Sequence, residues 1–386
     1  MHAPTPERRA QREALLHALT QIPTAAGHEE RVHAFIERTL APHAARVDVS
    51  RDAAGNWLVL QRRREAGRAP LLFTAHLDHP AFVVTGAPDP RTVEMEFRGG
   101  VNDPYFVGSA IEVIAADGSR HPGVVVALDA GATPFKRVRA TLTDPAPAVR
   151  AGAIARWRFE PAETRDGCIH TDACDDLAAA AAALCVLEEL LDDPAAGHVG
   201  VLFTVAEEVG FVGAIHAART HFAPRNAALV CLENSRSFPH DSPIGAGAIL
   251  RVGDRLSVFS PSLTNRLSQV FAEHQKADPS FRYQRKLMAG GACEATAFAA
   301  LGYESTCLCL PLGNYHNMVD IDGVAAGAHP GRVGREFISL ADFHSLCTML
   351  ALAATRLDHA SMDPFAPMMD RLYAERAFVI GAAERS

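Results

Sequence analysis

Apolar positions in residues 7–40 recur at helical spacing, and TQIPTAAGHEE at 20–30 interrupts them with the proline, threonine and glycine of turns and caps. One or two amphipathic helices are expected there. RVDVSRDAAGNWLVLQR (46–62) alternates on either side of a Gly-Asn pair, as a hairpin does. PLLFTAHLD (70–78) is a continuous apolar run with a polar end, the pattern of a strand buried on both faces. From about 80 to 165 the character changes. Short β-type pieces (AFVV, TVEMEF, SAIEVIAA, PGVVVAL) are separated by Gly, Pro and Asp, which predicts a small β domain inserted into something else. Beyond it, helix-type and strand-type segments alternate. DDLAAAAAALCVLEELL, VGFVGAIHAARTH, LTNRLSQVFAEHQ and DFHSLCTMLALAATRL read as helices; HVGVLFTVA, NAALVCLEN and STCLCLPL read as strands.

Such alternation predicts an α/β fold with a mostly parallel central sheet flanked by helices. The β insertion would divide it into a first catalytic part (1–79), the inserted domain (80–165) and a second catalytic part (166–386). Open α/β sheets place their sites at the carboxyl ends of the strands. His76 and Asp78 close one strand-type run, Glu207 and Glu208 a second, and Glu233 a third. His316 follows a fourth, and Asp175 and Asp176 precede the alanine-rich helix. All of these groups are therefore expected along one edge of the sheet.

Composition narrows the function classes. The chain has 386 residues, 48% of them hydrophobic, enough for a sizeable core and, by length, two domains. A net charge of −8 argues against a general nucleic-acid or anionic-membrane binder. The longest apolar run, at 177–187, is well short of the roughly 18 residues of a membrane span. The start lacks a signal-peptide pattern, so a soluble, cytoplasmic protein is expected. The eight cysteines form no CxxC pair and read as buried reduced thiols.

Two histidines and five or six carboxylates in one place would raise each other's pKa values and strain the fold. Two divalent cations reverse that balance, and imidazole with carboxylate suits Zn, Mn or Co. A carboxylate bridging two ions can hold and acidify a water, and an unligated neighbour then takes its proton. The adjacent Glu207 and Glu208 fit that division of labour, since neighbours at a strand end point different ways.

The chain resembles the dinuclear metallo-aminopeptidases of the M42 type, within the M20/M28/M42 metallopeptidase clan. The likeness runs through LTQIPTAAGHEERV, LLFTAHLD, GGVNDPYFVGSAIEVI, ACDDLAAAAAAL, FTVAEEVGFVGA, IGAGAILRVGD, GGACEATAFAALG and PLGNYHN, in order. It implies a zinc-exopeptidase-like catalytic domain holding two divalent ions, zinc foremost, with cobalt or manganese as alternatives. Position by position, His76 and Glu233 would serve the first ion, Glu208 and His316 the second, and Asp175 would bridge them. Glu207 would be the general base. Asp78, counted with the catalytic residues, would orient His76 through its other ring nitrogen, and Asp176 would help hold the turn. The inserted domain would overhang the cleft and take part in a homo-oligomer.

Departures from the family pattern are Glu233 for aspartate, His79 for the glutamate after HxD, CEA at 293–295 for TDA, and NYHNM at 314–318 for RYMHS. Glu233 keeps the carboxylate and adds one methylene, so it can still ligate; the other three lie around the expected substrate pocket and bear on specificity more than on hydrolysis. The expected reaction is removal of N-terminal residues from peptides. The first rival is an N-acyl amino-acid or small-amide deacylase on the same scaffold, and the second a non-catalytic binding or scaffold protein. His170 and Asp172 form a competing HxD, His79 reads as a junction histidine or a pocket residue, and Glu294 as an amine binder or a helix-start acid. The segment 362–386 is amphipathic and would pack on a partner subunit or on its own core.

Overall fold

A computed structural model describes residues 4–362 and 365–381. An eight-stranded sheet runs in the order Val47–Arg51, Trp57–Gln61, Val199–Thr204, Leu71–His76, Ala228–Arg236, Glu304–Leu312, Ala248–Gly253, Tyr283–Leu287. The middle four strands are parallel, Thr204 pairing with His76 and Glu233 with Cys309. The 46–62 hairpin is antiparallel, Val47 opposite Gln61. Ala248–Gly253 also runs antiparallel to its neighbour, so the sheet is mixed at its margins. Both margin strands after residue 247 went unseen in the sequence, because RKL and ILRVGD carry charges where a buried strand carries none.

The helices cover the sheet as their apolar faces require. Leu177–Leu190 is apolar nearly all round and lies buried along most of its length, the expected fate of a helix with no polar face. It packs against Leu340–Arg356 and Pro6–Leu19 over one face of the sheet, in the largest core cluster. Val212–Arg219 and Glu294–Ala300 line the other face, in a second cluster with Cys231, Cys293, Cys307 and Cys309. All eight cysteines are free thiols, seven of them buried.

Between Leu71–His76 and Leu177–Leu190 the chain closes six antiparallel strands into a barrel, from Ala81–Asp89 to Ile154–Trp157. Phe82, Phe97, Phe106 and Trp157 fill it, mostly edge to face, with centroids 4.7–6.1 Å apart. The turn at Gly99–Asn102 brings the barrel to the carboxyl edge of the large sheet, where Tyr105 donates its hydroxyl to the Val319 carbonyl at 2.9 Å. Among the described residues no helix is long and apolar enough to cross a membrane. Helix Ala366–Arg376 buries none of its residues, and the rest of the 362–386 segment is in part outside the described residues.

Candidate metal centre

Four parallel strands deliver the site. Leu71–His76 ends on His76, with Asp78 two residues on. Val199–Thr204 stops three residues short of Glu207, whose turn precedes helix Val212–Arg219. Ala228–Arg236 carries Glu233 within the strand rather than at its end. Glu304–Leu312 leads into a turn where His316 and Asn317 both adopt positive φ, 54° and 62°. Asp175 and Asp176, joined by a cis peptide, open the buried helix.

Asp175 sits at the centre. Its Oδ1 lies 3.3 Å from His76 Nε2 and its Oδ2 3.4 Å from His316 Nε2. Glu208 Oε1 is 3.4 Å from the same His316 nitrogen. Each imidazole has its other nitrogen at a backbone carbonyl: His76 Nδ1 at Asp78 O (3.1 Å) and His316 Nδ1 at Gly100 O of the barrel turn (2.7 Å). That pairing favours the tautomer with a bare Nε2, the form that ligates metal. The Asp78 carboxylate is farther from His76 Nδ1, at 3.6 Å. Its two oxygens instead accept the backbone N–H groups of Glu207 (2.9 Å) and Glu208 (3.0 Å), so Asp78 fixes the glutamate pair as well.

The donor set fits divalent metal. His76 with Asp175 and Asp176, His76 with Glu207 and Glu208, and Asp175 with Glu208 and His316 each offer three ligand atoms within 4.8 Å of one another. Buried His76 Nε2, Asp175 Oδ1, Glu208 Oε1 and Glu233 Oε2 have no hydrogen-bond partner among the described residues, an arrangement that is costly unless a cation completes it. Glu233 belongs to none of the three groups, although it lines the same cleft. Glu207 and Glu208 both come within ligand range of His76, so proximity does not by itself separate base from ligand.

The electrostatics have one cause, many acids in little water. Burial pushes Glu207, Glu208 and Glu233 well above the usual carboxylate range, and neighbouring acids (Glu208, Asp175 and Asp175 respectively) add to it. Burial alone would lower His76, but Glu207, Asp175 and Asp78 outweigh it and raise the imidazole well above its ordinary value. Burial likewise works against Asp175, yet His316 and His76 hold it below the usual range.

Several supporting groups were not read from the sequence. Glu336, buried in Glu336–Ser339, accepts the N–H groups of Cys174 (2.7 Å) and Asp175 (3.0 Å) on one oxygen and that of His316 (2.8 Å) on the other. Burial, then Asp175, pushes its pKa to about 8. Asn234 donates to Asp176 Oδ1 at 2.8 Å and to the Cys174 carbonyl at 3.0 Å. Neither had a signal, since a single Glu in a two-sided strand looks like an edge residue. His79 is buried behind the site, one nitrogen 2.5 Å from the Asp175 carbonyl and the other 3.0 Å from Asn317 Oδ1. The competing Asp172 is taken by Arg156 at 2.5 Å. Glu294 is buried beneath the sheet, with Thr74 Oγ1 3.5 Å from its Oε2, and does not line the cleft.

A family model described as M42 glutamyl aminopeptidase matches residues 55–329. The chain belongs to the M42 glutamyl aminopeptidase family. As a member it is a metal-dependent aminopeptidase. No curated protein sequence matches it. Among solved structures it is similar to the TET1 peptidase of Pyrococcus horikoshii, at 22% identity and TM-score 0.71, over 89% of this chain and 99% of that one. It is also similar to a TET aminopeptidase from a marine sediment archaeon of the Thaumarchaeota (18%, TM-score 0.73, 90% and 97% covered). An aminopeptidase of Desulfurococcus kamchatkensis matches at 18% and TM-score 0.71, over 93% and 98%. At these identities the likeness establishes the M42 fold.

Proposed function

We propose that this M42 enzyme is a dinuclear aminopeptidase in which His76, Asp175, Glu208, Glu233 and His316 hold two divalent ions and Glu207 is the general base. The observation that carries the reading is Asp175 lying between two imidazoles, each presenting a bare Nε2 to a different carboxylate oxygen. An aspartate so placed suits a bridge, with His76 and Glu233 on one side and His316 and Glu208 on the other. When bound, the ions supply Lewis-acid polarisation of the scissile carbonyl and an acidified water. Glu207 accepts the proton of the attacking water and returns it to the leaving amine. Asp78 keeps that carboxyl in place through the two backbone N–H groups. Water and peptide are converted to a free amino acid and a shortened peptide.

Residues 80–165, the barrel among them, are read as an inserted unit that overhangs the cleft, because Gly100, Val101 and Asn102 line it beside His316. The cleft holds about 650 Å³ and also contains Arg236, Arg251 and Arg255. Arg251 is buried, donates to Ser235 Oγ and the Gly291 carbonyl, and has no carboxylate partner among the described residues. With a family described by its glutamyl activity, these cations favour an acidic N-terminal residue. A homo-oligomer is the expected assembly, since the Pyrococcus relative can assemble into a tetrahedron or a large octahedral shell.

The test uses protein stripped with chelator and reloaded separately with Zn, Co or Mn. Substrates are free-amine aminoacyl amides, acidic and apolar, and their N-acetyl counterparts. Restored cleavage of the free-amine set, fastest on the glutamyl member, is expected. Cleavage confined to the acetylated set would move the enzyme to the deacylases.

A further inference from the structure

A second cavity of about 660 Å³ shares no lining residue with the metal cleft. It lies among helix Pro6–Leu19, the start of helix Leu340–Arg356, and the turns at 245–247 and 278–282. In a chain of net charge −8, four arginines line it: Arg8, Arg9, Arg12 and Arg282. His274 and His344 join them.

The three acids in the wall are already engaged. Glu189 accepts both Arg12 Nε (2.8 Å) and Nη2 (2.6 Å), a bidentate pair. Asp342 accepts the Gly245 and Gly247 N–H groups at 2.6 and 2.7 Å. Asp278 accepts the hydroxyl and N–H of Ser280 at 2.6 and 3.0 Å. On the donor side, Arg12 is buried, yet its Nη1 has no partner among the described residues. His344 is also buried, but its Nε2–H donates to Glu13 at 2.7 Å, which leaves Nδ1 as an acceptor and not a donor. The guanidinium groups of Arg9 and Arg282 form no hydrogen bond or ion pair among the described residues. The wall therefore has spare guanidinium donors from three arginines, against one carboxylate oxygen, Asp278 Oδ2, with no bond among the described residues.

We infer that this cavity binds a phosphate-bearing small anion, with Arg9 and Arg282 as the charged clamp and the free Nη1 of Arg12 behind them. Guanidinium groups recognise phosphate oxygens by parallel N–H donation, and one already fixed by Glu189 loses little freedom in doing so. The volume exceeds that of inorganic phosphate, so the phosphate of a larger metabolite is accommodated as well as the free ion.

The experiment is calorimetric titration of the metal-loaded enzyme with inorganic phosphate and with glucose 6-phosphate, repeated on Arg9→Gln, Arg282→Gln and the double variant. Both positions are exposed and outside the metal cleft, so folding and peptidase activity serve as controls. Saturable binding is expected, weakened about tenfold by each substitution. Tighter binding of the sugar phosphate assigns the cavity to phosphorylated metabolites, and equal affinity assigns it to the free ion. Binding left intact in the double variant would place the phosphate elsewhere, at the metal cleft for instance, and overturn the inference. So would no binding by either probe.

Discussion

Glu207 and Glu208 differ less in position than in what surrounds them. Both backbones hang from Asp78, but only Glu208 Oε1 approaches His316. Glu207→Gln keeps the shape and removes the proton acceptor. It is expected to lower kcat by about 10²–10⁴, while elemental analysis still finds two ions per chain. A second residue-scale prediction concerns His79, the departure from the family pattern that the structure explains best. It ties the Asp175 carbonyl to Asn317, whose amide in turn donates to the Asp172 carbonyl at 2.9 Å. His79→Leu leaves buried polar groups unpaired, at a cost of about 1–3 kcal/mol. Thermal unfolding would register that loss, and competition with a chelating dye should show weaker zinc retention. Unchanged values in both would remove His79 from the support of the site.

At the scale of elements, close approach between strand end and helix start sets where the glutamate turn lies. A Cβ on Gly213 would stand 2.2 Å from the Val205 carbonyl oxygen and 2.6 Å from Asn56 Oδ1. Asn56 bridges the same two segments, accepting the Val205 N–H and donating to the Gly213 carbonyl. Gly213→Ala must push the helix off the turn and is expected to cost about 1–3 kcal/mol, with kcat falling alongside Tm. Helix Glu30–Leu40 carries a different signal. His33 stacks on Trp57 with centroids 4.7 Å apart, and burial, then Arg51, lowers its pKa from 6.5 to about 4. Between those two values the unfolded chain binds the extra proton, so stability falls as pH drops through the window and levels off below it. His33→Phe should flatten the Tm profile there; an unaltered slope would assign the loss to another group.

For the whole molecule, the candidate metal centre is where three parts of the chain meet. The barrel orients His316 through Gly100, the large sheet supplies His76 and Glu233, and Glu336 reaches in from a three-stranded sheet with Glu163–Arg165 and Cys168–Thr171. Ions bound there favour the folded state by an amount that grows as the logarithm of their concentration over Kd. Chelation is therefore expected to lower Tm by several degrees, at roughly 2 °C or less per kcal/mol of lost binding energy for a chain longer than about 250 residues, and Zn should restore it. A Tm indifferent to chelator would mean that the acids are neutralised by protons alone.

The order of elements and the residues at the carboxyl edge were legible in the chain because they depend on local pattern. Two-sided burial makes continuous apolar strands, and a site at strand ends leaves acids and histidines where those runs stop. Seven candidate site residues could be named on that basis and from the family likeness. What tertiary structure decided lies in contacts between distant segments. The Asp78 carboxylate finds the backbone of residues 207 and 208, Gly100 finds His316, and Glu336 finds the turn before helix Leu177–Leu190. Backbone N–H and carbonyl groups have no side-chain signature, so no spacing in the sequence reveals which of them will face a given ring or carboxylate. The margin strands and the arginine-lined cavity belong to the same class: each depends on which surfaces meet once the core has closed.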